Sequence, residues 1–307
     1  MIWIVVLYAL FASIFTVAKT GLEYTQPLFF VGFRMVIAGV MLLSYQYFVD
    51  RSIFKQIRKH LLPLALLAIF NIYLANVLEF WGLQYLTSFK TCFIYGLSPF
   101  ASAILSYFTF SETLSRKKII GLVIGCLGFL PILLQKGGPE ETVGELFFIS
   151  WAELSVMGGA FCAVYGWILL RKLVSKGEMS TFLANGFSMF VGGIISLTHS
   201  YFVENWQPVP VTSWQPFLEC TFFMIIVSSF ICYNLSGYLL KRYTATFFSF
   251  AGFITPLFSA LFGWWFLNEQ VGLPFYLSFI GVFAGLSVFY QEELREGFIS
   301  RQQVLET

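Results

Sequence analysis

What this sequence lacks narrows it most. Charged residues make up 11% of its 307 residues, against a hydrophobic share of 58% and a mean hydropathy of +0.79. A soluble domain carries roughly 25% charged residues, because it must face water over its whole surface. So few charges cannot cover a soluble body of this size, and the solvent must be mostly lipid. No glycine-rich phosphate cradle ending in Lys-Ser/Thr is present, which excludes an ATP motor of that type. No His-Glu metal motif occurs, and His60 and His199 stand isolated at the ends of apolar runs. Nothing resembles a nucleophile elbow. The expectation is therefore a non-enzyme with no cofactor, no metal and no nucleic-acid partner. The cysteines (Cys92, Cys126, Cys162, Cys220 and Cys232) all fall inside apolar runs without close metal-type pairs, and read as small packing residues. The opening stretch MIWIVVLYALFASIFTVAK lacks a basic region ahead of its apolar run, so it reads as a retained span and not a cleaved signal.

What is present is a series of apolar runs of about 20 residues, the length needed to cross a bilayer as helix. They fall near 2–20, 27–48, 61–83, 86–109, 118–135, 149–170, 181–203, 217–239, 245–267 and 272–290. Phe-rich stretches such as TATFFSFAGFITPLFSALFGWWF have strand propensity. A membrane barrel, however, needs alternating segments of about ten residues, and these runs are continuous. The expected fold class is an all-α membrane protein of ten transmembrane helices.

Basic residues orient the chain. With the N-terminus in the cytoplasm, the inside receives Arg51, Lys55, Arg58, Lys59, Arg116, Lys117, Lys118, Arg171, Lys172, Lys176, Lys241, Arg242, Arg295 and Arg301, which is 14 of the 18 Lys and Arg residues. Only Lys136 lies in an outside loop, beside Glu140, Glu141 and Glu145. This asymmetry obeys the positive-inside rule and places both termini in the cytoplasm. Lys19, Arg34 and Lys90 remain, all at membrane depth or at its outer edge.

The chain also contains itself twice. SPFASAILSYFTFSE (98–112) and TPLFSALFGWWFLNE (255–269) align without gaps at an offset of 157, each with a Pro and a Glu 13 residues later. Leu83 then matches Leu240, Thr87 matches Thr244, and Phe93 matches Phe250. Gly121 and Gly125 fall on Gly281 and Gly285, and GFRMVIAGVMLL (32–43) resembles GFSMFVGGIISL (186–197) at an offset of 154. Each half holds five spans, and an odd number forces the halves into opposite orientations. Such inverted repeats are an architecture of secondary transporters, with the substrate site near the midplane between halves. The expected division is a first repeat at 1–135, an outside linker at 136–148, a second repeat at 149–291 and a cytoplasmic tail at 292–307.

These residues carry a family resemblance. The pattern FASIFTVAK, FRMVIAGVMLL, LQYLTS and SPFASAILSYFTFSETLSRKKIIGLVIGCLGFLPILL resembles one repeat of the EamA-type members of the drug/metabolite transporter superfamily, and FCAVYGWILLRK through VFAGLSVFY resembles the second. The Arg of FRM, the mid-helix Pro and the Glu before the last helix of the repeat belong to that pattern. Ser188 stands in the second half where the first has Arg34, and Pro131, expected to kink its helix, sits late in the fifth span; both depart from the family's pattern. The resemblance implies a two-bundle carrier working by alternating access, with the third, fourth, eighth and ninth helices near the pathway.

Embedded polar residues are the candidate site. Arg34 lies roughly 10 Å deep at 1.5 Å per residue, where an unpaired charge costs several kcal/mol. It can offer planar donors to a carboxylate or phosphate, or instead cap helix carbonyls. Glu79 lies within a turn of that level. It can bind an ammonium, carry a coupling proton, or pair internally with Arg34 or Lys90. Lys90 is expected to face substrate, with snorkelling to the interface as its alternative, and Lys19 joins the substrate-binding candidates although snorkelling is its leading reading. Glu23, Glu153 and Glu219 read as interfacial, and Glu112 and Glu269 as structural. Asn71, Asn76, Tyr95, Tyr233, Asn234 and Tyr238 are uncharged candidates on the helices the resemblance puts beside the pathway. Asn76 and Tyr233 are equivalent at the repeat offset. Pro99 and Pro256 read as kinks and plausible gating points, and the paired glycines as close contacts within the chain. A monomer is expected, a dimer being the alternative.

The charged layer lies in the first half; Ser188, Ser236 and Phe247 replace Arg34, Glu79 and Lys90 in the second. An asymmetric zwitterion would use such a layer, its carboxylate on Arg34 or Lys90 and its ammonium on Glu79. With abundant aromatics, an aminoacyl nucleoside such as S-adenosylmethionine suits it, and carriers of that compound occur among EamA-like proteins of intracellular bacteria. The expectation is a secondary carrier of a small polar metabolite in a bacterial inner membrane, with exchange for S-adenosylhomocysteine as one mechanism. The alternatives are a proton-coupled exporter of amino acids or toxic amphiphiles and, from another class, a membrane-embedded enzyme or a non-transporting scaffold.

Overall fold

The computed structural model describes residues 2–51, 55–110, 116–135, 142–175, 179–239 and 251–305. Glu112, Lys136, Glu140, Glu141, Lys176, Lys241, Arg242, Thr244, Phe247 and Phe250 lie outside the described residues, as does the start of the run expected at 245–267.

The chain is mostly helical because its long apolar runs must satisfy every backbone group internally in lipid. The main helices are α1 (Ile2–Gly21), α2 (Pro27–Val49), α3 (Lys55–Lys59) and α4 (Leu61–Tyr85). They continue as α5 (Ser88–Tyr95), α6 (Ser98–Phe110), α7 (Arg116–Leu134), α8 (Trp151–Ser175) and α9 (Thr181–Val203). The last are α10 (Trp214–Leu239), α11 (Thr255–Leu267) and α12 (Leu273–Leu305). Among the described residues, seven helices are long and apolar enough to cross a membrane, and shorter apolar helices accompany them. The protein is a multi-pass membrane protein.

Three details differ from the sequence reading. The run expected at 86–109 is broken at Gly96–Leu97, giving α5 and α6. Pro99 is the second residue of α6, where a helix needs no N–H from it. Pro256 occupies the matching place in α11, after a 3-10 turn at Gly252–Ile254. Second, α12 runs on as helix through the segment expected to be a tail. Third, α4 and α10 each contain a π turn, at Ala68–Leu74 and Ile225–Cys232.

Helix α2 packs along α9, and α7 along α12. Helix α4 lies against α8 as α10 lies against α1, while α1 meets α11 as α8 meets α5 and α6. Partners are therefore conserved when the halves are exchanged. Glycine permits the α7–α12 seam: a methyl group built on Gly285 would fall against the backbone of Gly125, and one on Gly281 against Gly128. The paired glycines are thus used within the chain.

Polar ties gather at one end of the bundle. Glu204, at the end of α9, accepts the Leu28 and Phe29 amides that open α2 (2.7 and 2.8 Å). Glu269, after α11, accepts the Ser88 amide and hydroxyl at the start of α5 (both 2.7 Å). Each carboxylate meets a helix N-terminus, where exposed N–H groups and the helix dipole favour negative charge.

Candidate functional site

A cavity of about 120 Å³ lies between the halves. Its wall repeats itself: Asn71 and Ser228, Asn76 and Tyr233, Glu79 and Ser236, Tyr95 and Gly252, and Ser98 and Thr255 all line it, each pair 157 residues apart. The wall therefore straddles the axis relating the repeats, as expected where two copies of one motif face each other. Helix α1 adds Tyr8 and Phe15, and α8 adds Trp167.

Arg34 and Glu79 are the charged side chains among the described lining residues. Arg34 is 1% exposed. Its Nη2 donates to Asn76 Oδ1 at 2.6 Å, and its guanidinium carbon lies 4.9 Å from the centre of the Phe80 ring. Its Nε and Nη1 have no hydrogen-bond partner among the described residues. A buried cation whose donors lack partners costs free energy. Glu79 is half-buried, in hydrogen-bonding reach of the Tyr95 hydroxyl and in electrostatic contact with Arg34. The Tyr95 hydroxyl also donates to the Ala75 carbonyl (3.4 Å), and the ring meets Phe15 edge-on. Gly166 makes room for Asn71, whose Nδ2 is buried with no partner among the described residues. Donors and an acid thus converge on the side of the cavity built by α2, α4 and α5.

Of the residues expected to bind substrate, the structure brings Arg34, Glu79, Asn76, Tyr95 and Tyr233 to the cavity wall and leaves Lys90, Lys19 and Asn234 off it. Lys90 is buried beside Glu153: Nζ lies 2.9 Å from Glu153 Oε1 and donates to the Gln135 carbonyl at 3.1 Å. Glu153 is therefore a buried ion-pair partner and not an interfacial group. Its other oxygen accepts the Ser150 amide (2.7 Å) while Ser150 Oγ accepts the Glu153 amide (3.1 Å), a capping box that opens α8. Lys19 does not snorkel. It turns inward and donates to the carbonyls of Leu83, Gln84 and Leu86 (2.7, 3.0 and 2.8 Å), closing the C-terminal end of α4. Asn234 is buried behind the wall, and Tyr238 is exposed. Glu23 and Glu219 are exposed. Pro99 and Pro256 stand one residue behind Ser98 and Thr255.

Two features escaped sequence reasoning. The π turns have no compositional signature, and Glu153 lies 63 positions from Lys90. A Ser-x-x-Glu pattern at 150–153 is a signal that could have found the cap, but not the ion pair.

The model of the EamA-like transporter family matches residues 1–134 and again 150–291. The chain belongs to the EamA-like transporter family. It is 40% identical over 294 residues to a protein of Chlamydia muridarum named S-adenosylmethionine/S-adenosylhomocysteine transporter, covering 94% of this chain and 91% of that one. A Chlamydia trachomatis protein of the same name is 39% identical over 94% of this chain and 88% of its own. A solved crystal structure shares the fold, with a TM-score of 0.68 over 94% of this chain and 96% of that chain at 14% identity. This EamA-like chain is thus a membrane transporter whose cavity carries one guanidinium and one carboxyl group among its described lining residues.

Proposed function

We propose that the chain is a secondary carrier that exchanges S-adenosylmethionine for S-adenosylhomocysteine across a bacterial inner membrane by alternating access. Its frame is read as ten transmembrane helices in two inverted five-helix repeats, 1–135 and 149–291, joined by an outside linker, with both termini cytoplasmic. The observation that carries the reading is the cavity on the repeat axis, with Arg34 and its unpartnered donors beside Glu79. The names of the chlamydial relatives support the choice of ligand. Both compounds share an amino-acid head group and an adenosyl end. Arg34 suits the carboxylate and Glu79 the ammonium, since charge-assisted hydrogen bonds are the strong ones. The opposite wall, with Ser228, Ser236, Gly252 and Thr255, carries no charge among its described residues, and Trp167 and Tyr8, which also line the cavity, are read as aromatic faces for a planar base. Pro99 and Pro256, at the starts of α6 and α11 directly behind the wall, are read as gating points.

Reconstituted vesicles test this. Preloading with S-adenosylhomocysteine should accelerate entry of labelled S-adenosylmethionine several-fold, and the label should be recovered intact. Uptake that ignores the preload, or that follows an imposed proton gradient instead, overturns exchange. Recovery of a converted product would indicate an enzyme.

A further inference from the structure

The two π turns lie at Ala68–Leu74 and Ile225–Cys232, at the repeat offset of 157. Each is followed by an asparagine that clasps it. Asn76 Nδ2 donates back to the carbonyls of Asn71 (3.1 Å) and Ile72 (2.9 Å). Asn234 Nδ2 donates back to those of Ser229 (3.2 Å) and Phe230 (2.9 Å). Both side chains reach five and four residues back, so the device is the same. In each, the amide oxygen then accepts from the neighbouring helix of its own half: from Arg34 Nη2 in the first (2.6 Å), and from Asn185 Nδ2 in the second (3.2 Å). One clasp holds a cation, the other a neutral amide. Asn76 also reaches the Tyr233 hydroxyl across the axis (3.3 Å).

Asn76 therefore lines the cavity with both ends of its amide engaged, which leaves it poorly placed to bind ligand itself. Its orientation is set by the π turn, and through Nη2 it sets the orientation of the guanidinium. The donors on Nε and Nη1, without partners among the described residues, remain for an anion. We propose that Asn76 is a positioning residue that aims Arg34 at the carboxylate of the substrate and so seats that carboxylate in the first half. π turns recur at functional sites because they place a side chain where a regular helix would not. This proposal rests on the reading of the cavity as a site for an amino-acid head group.

The test compares two probes that differ by one group, S-adenosylmethionine and its decarboxylated form, competing for binding to purified, folded carrier. Wild type should prefer the carboxylated probe at least tenfold. Asn76→Ala should bring that preference close to unity while binding of the decarboxylated probe changes less than threefold. Asn76→Ser, a milder lesion that keeps an oxygen near Arg34, should retain part of the preference and serves if the alanine variant does not fold. Asn234→Ala breaks the matching clasp and should lower binding of both probes alike, leaving their ratio intact. Equal weakening of both probes by Asn76→Ala, or a collapsed ratio in Asn234→Ala, overturns the proposal. If wild type binds neither adenosyl compound, the substrate reading fails by itself, and the variants are then scored with L-methionine against its decarboxylated amine. A preference lost there still supports the positioning role, and a preference unchanged overturns it.

Discussion

The two walls of the cavity come from one repeated pattern and differ most in charge, although Tyr233 and Thr255 are larger than their counterparts Asn76 and Ser98. In the first half the matched positions hold Asn71, Glu79 and Tyr95, with Arg34 behind Asn76; in the second they hold Ser228, Ser236 and Gly252, with Ser188 at the place of Arg34. Ser188 spends its hydroxyl on the carbonyls of Ala184 and Asn185 (2.8 and 3.1 Å), as a serine inside a helix commonly does. Duplication thus supplied two equivalent frames, and only one was loaded with charge. A symmetric wall would bind both ends of a ligand alike. This one carries its charged side chains, Arg34 and Glu79, on the first-half side among the described lining residues.

Substitutions across the axis can break or sharpen that contrast. The largest effect should come from Lys90→Met, which strands Glu153 in a buried site; removing one partner of a buried pair costs about 3–5 kcal/mol. Thermal denaturation in detergent should show it, and Lys90→Met with Glu153→Gln together, which keeps an acceptor for the Ser150 amide, should recover most of the loss. Substrate affinity of the folded double variant should stay near wild type, because the pair does not line the cavity. Loss of affinity there would return Lys90 to the binding layer.

Next in size, Arg34→Ala should weaken substrate binding about a hundredfold, the loss expected for one partner of a buried charged contact at roughly 3 kcal/mol. Ser188→Ala, its counterpart, should change binding less than twofold. Similar losses from both would erase the asymmetry. Glu79→Gln should cost about tenfold in affinity, the scale of a charged hydrogen bond at 1.5–3 kcal/mol, whereas Ser236→Ala should cost under threefold. Gly252→Val should have the smallest effect on the ionic end. It places bulk against Tyr8, so it should weaken adenosyl ligands several-fold, by about 1 kcal/mol at the low end of overpacking, and leave competition by free methionine unchanged.

Much of this was legible in the residues. The offset of 157 paired Asn76 with Tyr233, and a hydrogen bond of 3.3 Å joins them across the two halves. Arg34 and Glu79 stood out because ionisable groups at membrane depth are costly and so need a reason. Lys90 stood out by the same logic and proved to answer to Glu153 instead. Depth along a helix follows from counting residues. The direction a side chain faces does not, when the helix is apolar all round and no polar stripe marks its wet side.

The sequence by itself determined that the chain lives in lipid, that its apolar runs become helices, and that it is built twice from one pattern. Those follow from hydropathy, backbone hydrogen bonding and repetition, all of which are local or additive along the chain. Only the tertiary structure decided which buried charges neutralise one another and which are left facing the cavity. It decided as well that the clasp on each π turn holds Arg34 in one half and Asn185 in the other. Those outcomes depend on helix azimuth and on the approach of residues dozens of positions apart. Such contacts are set by packing, and no stretch of sequence contains them.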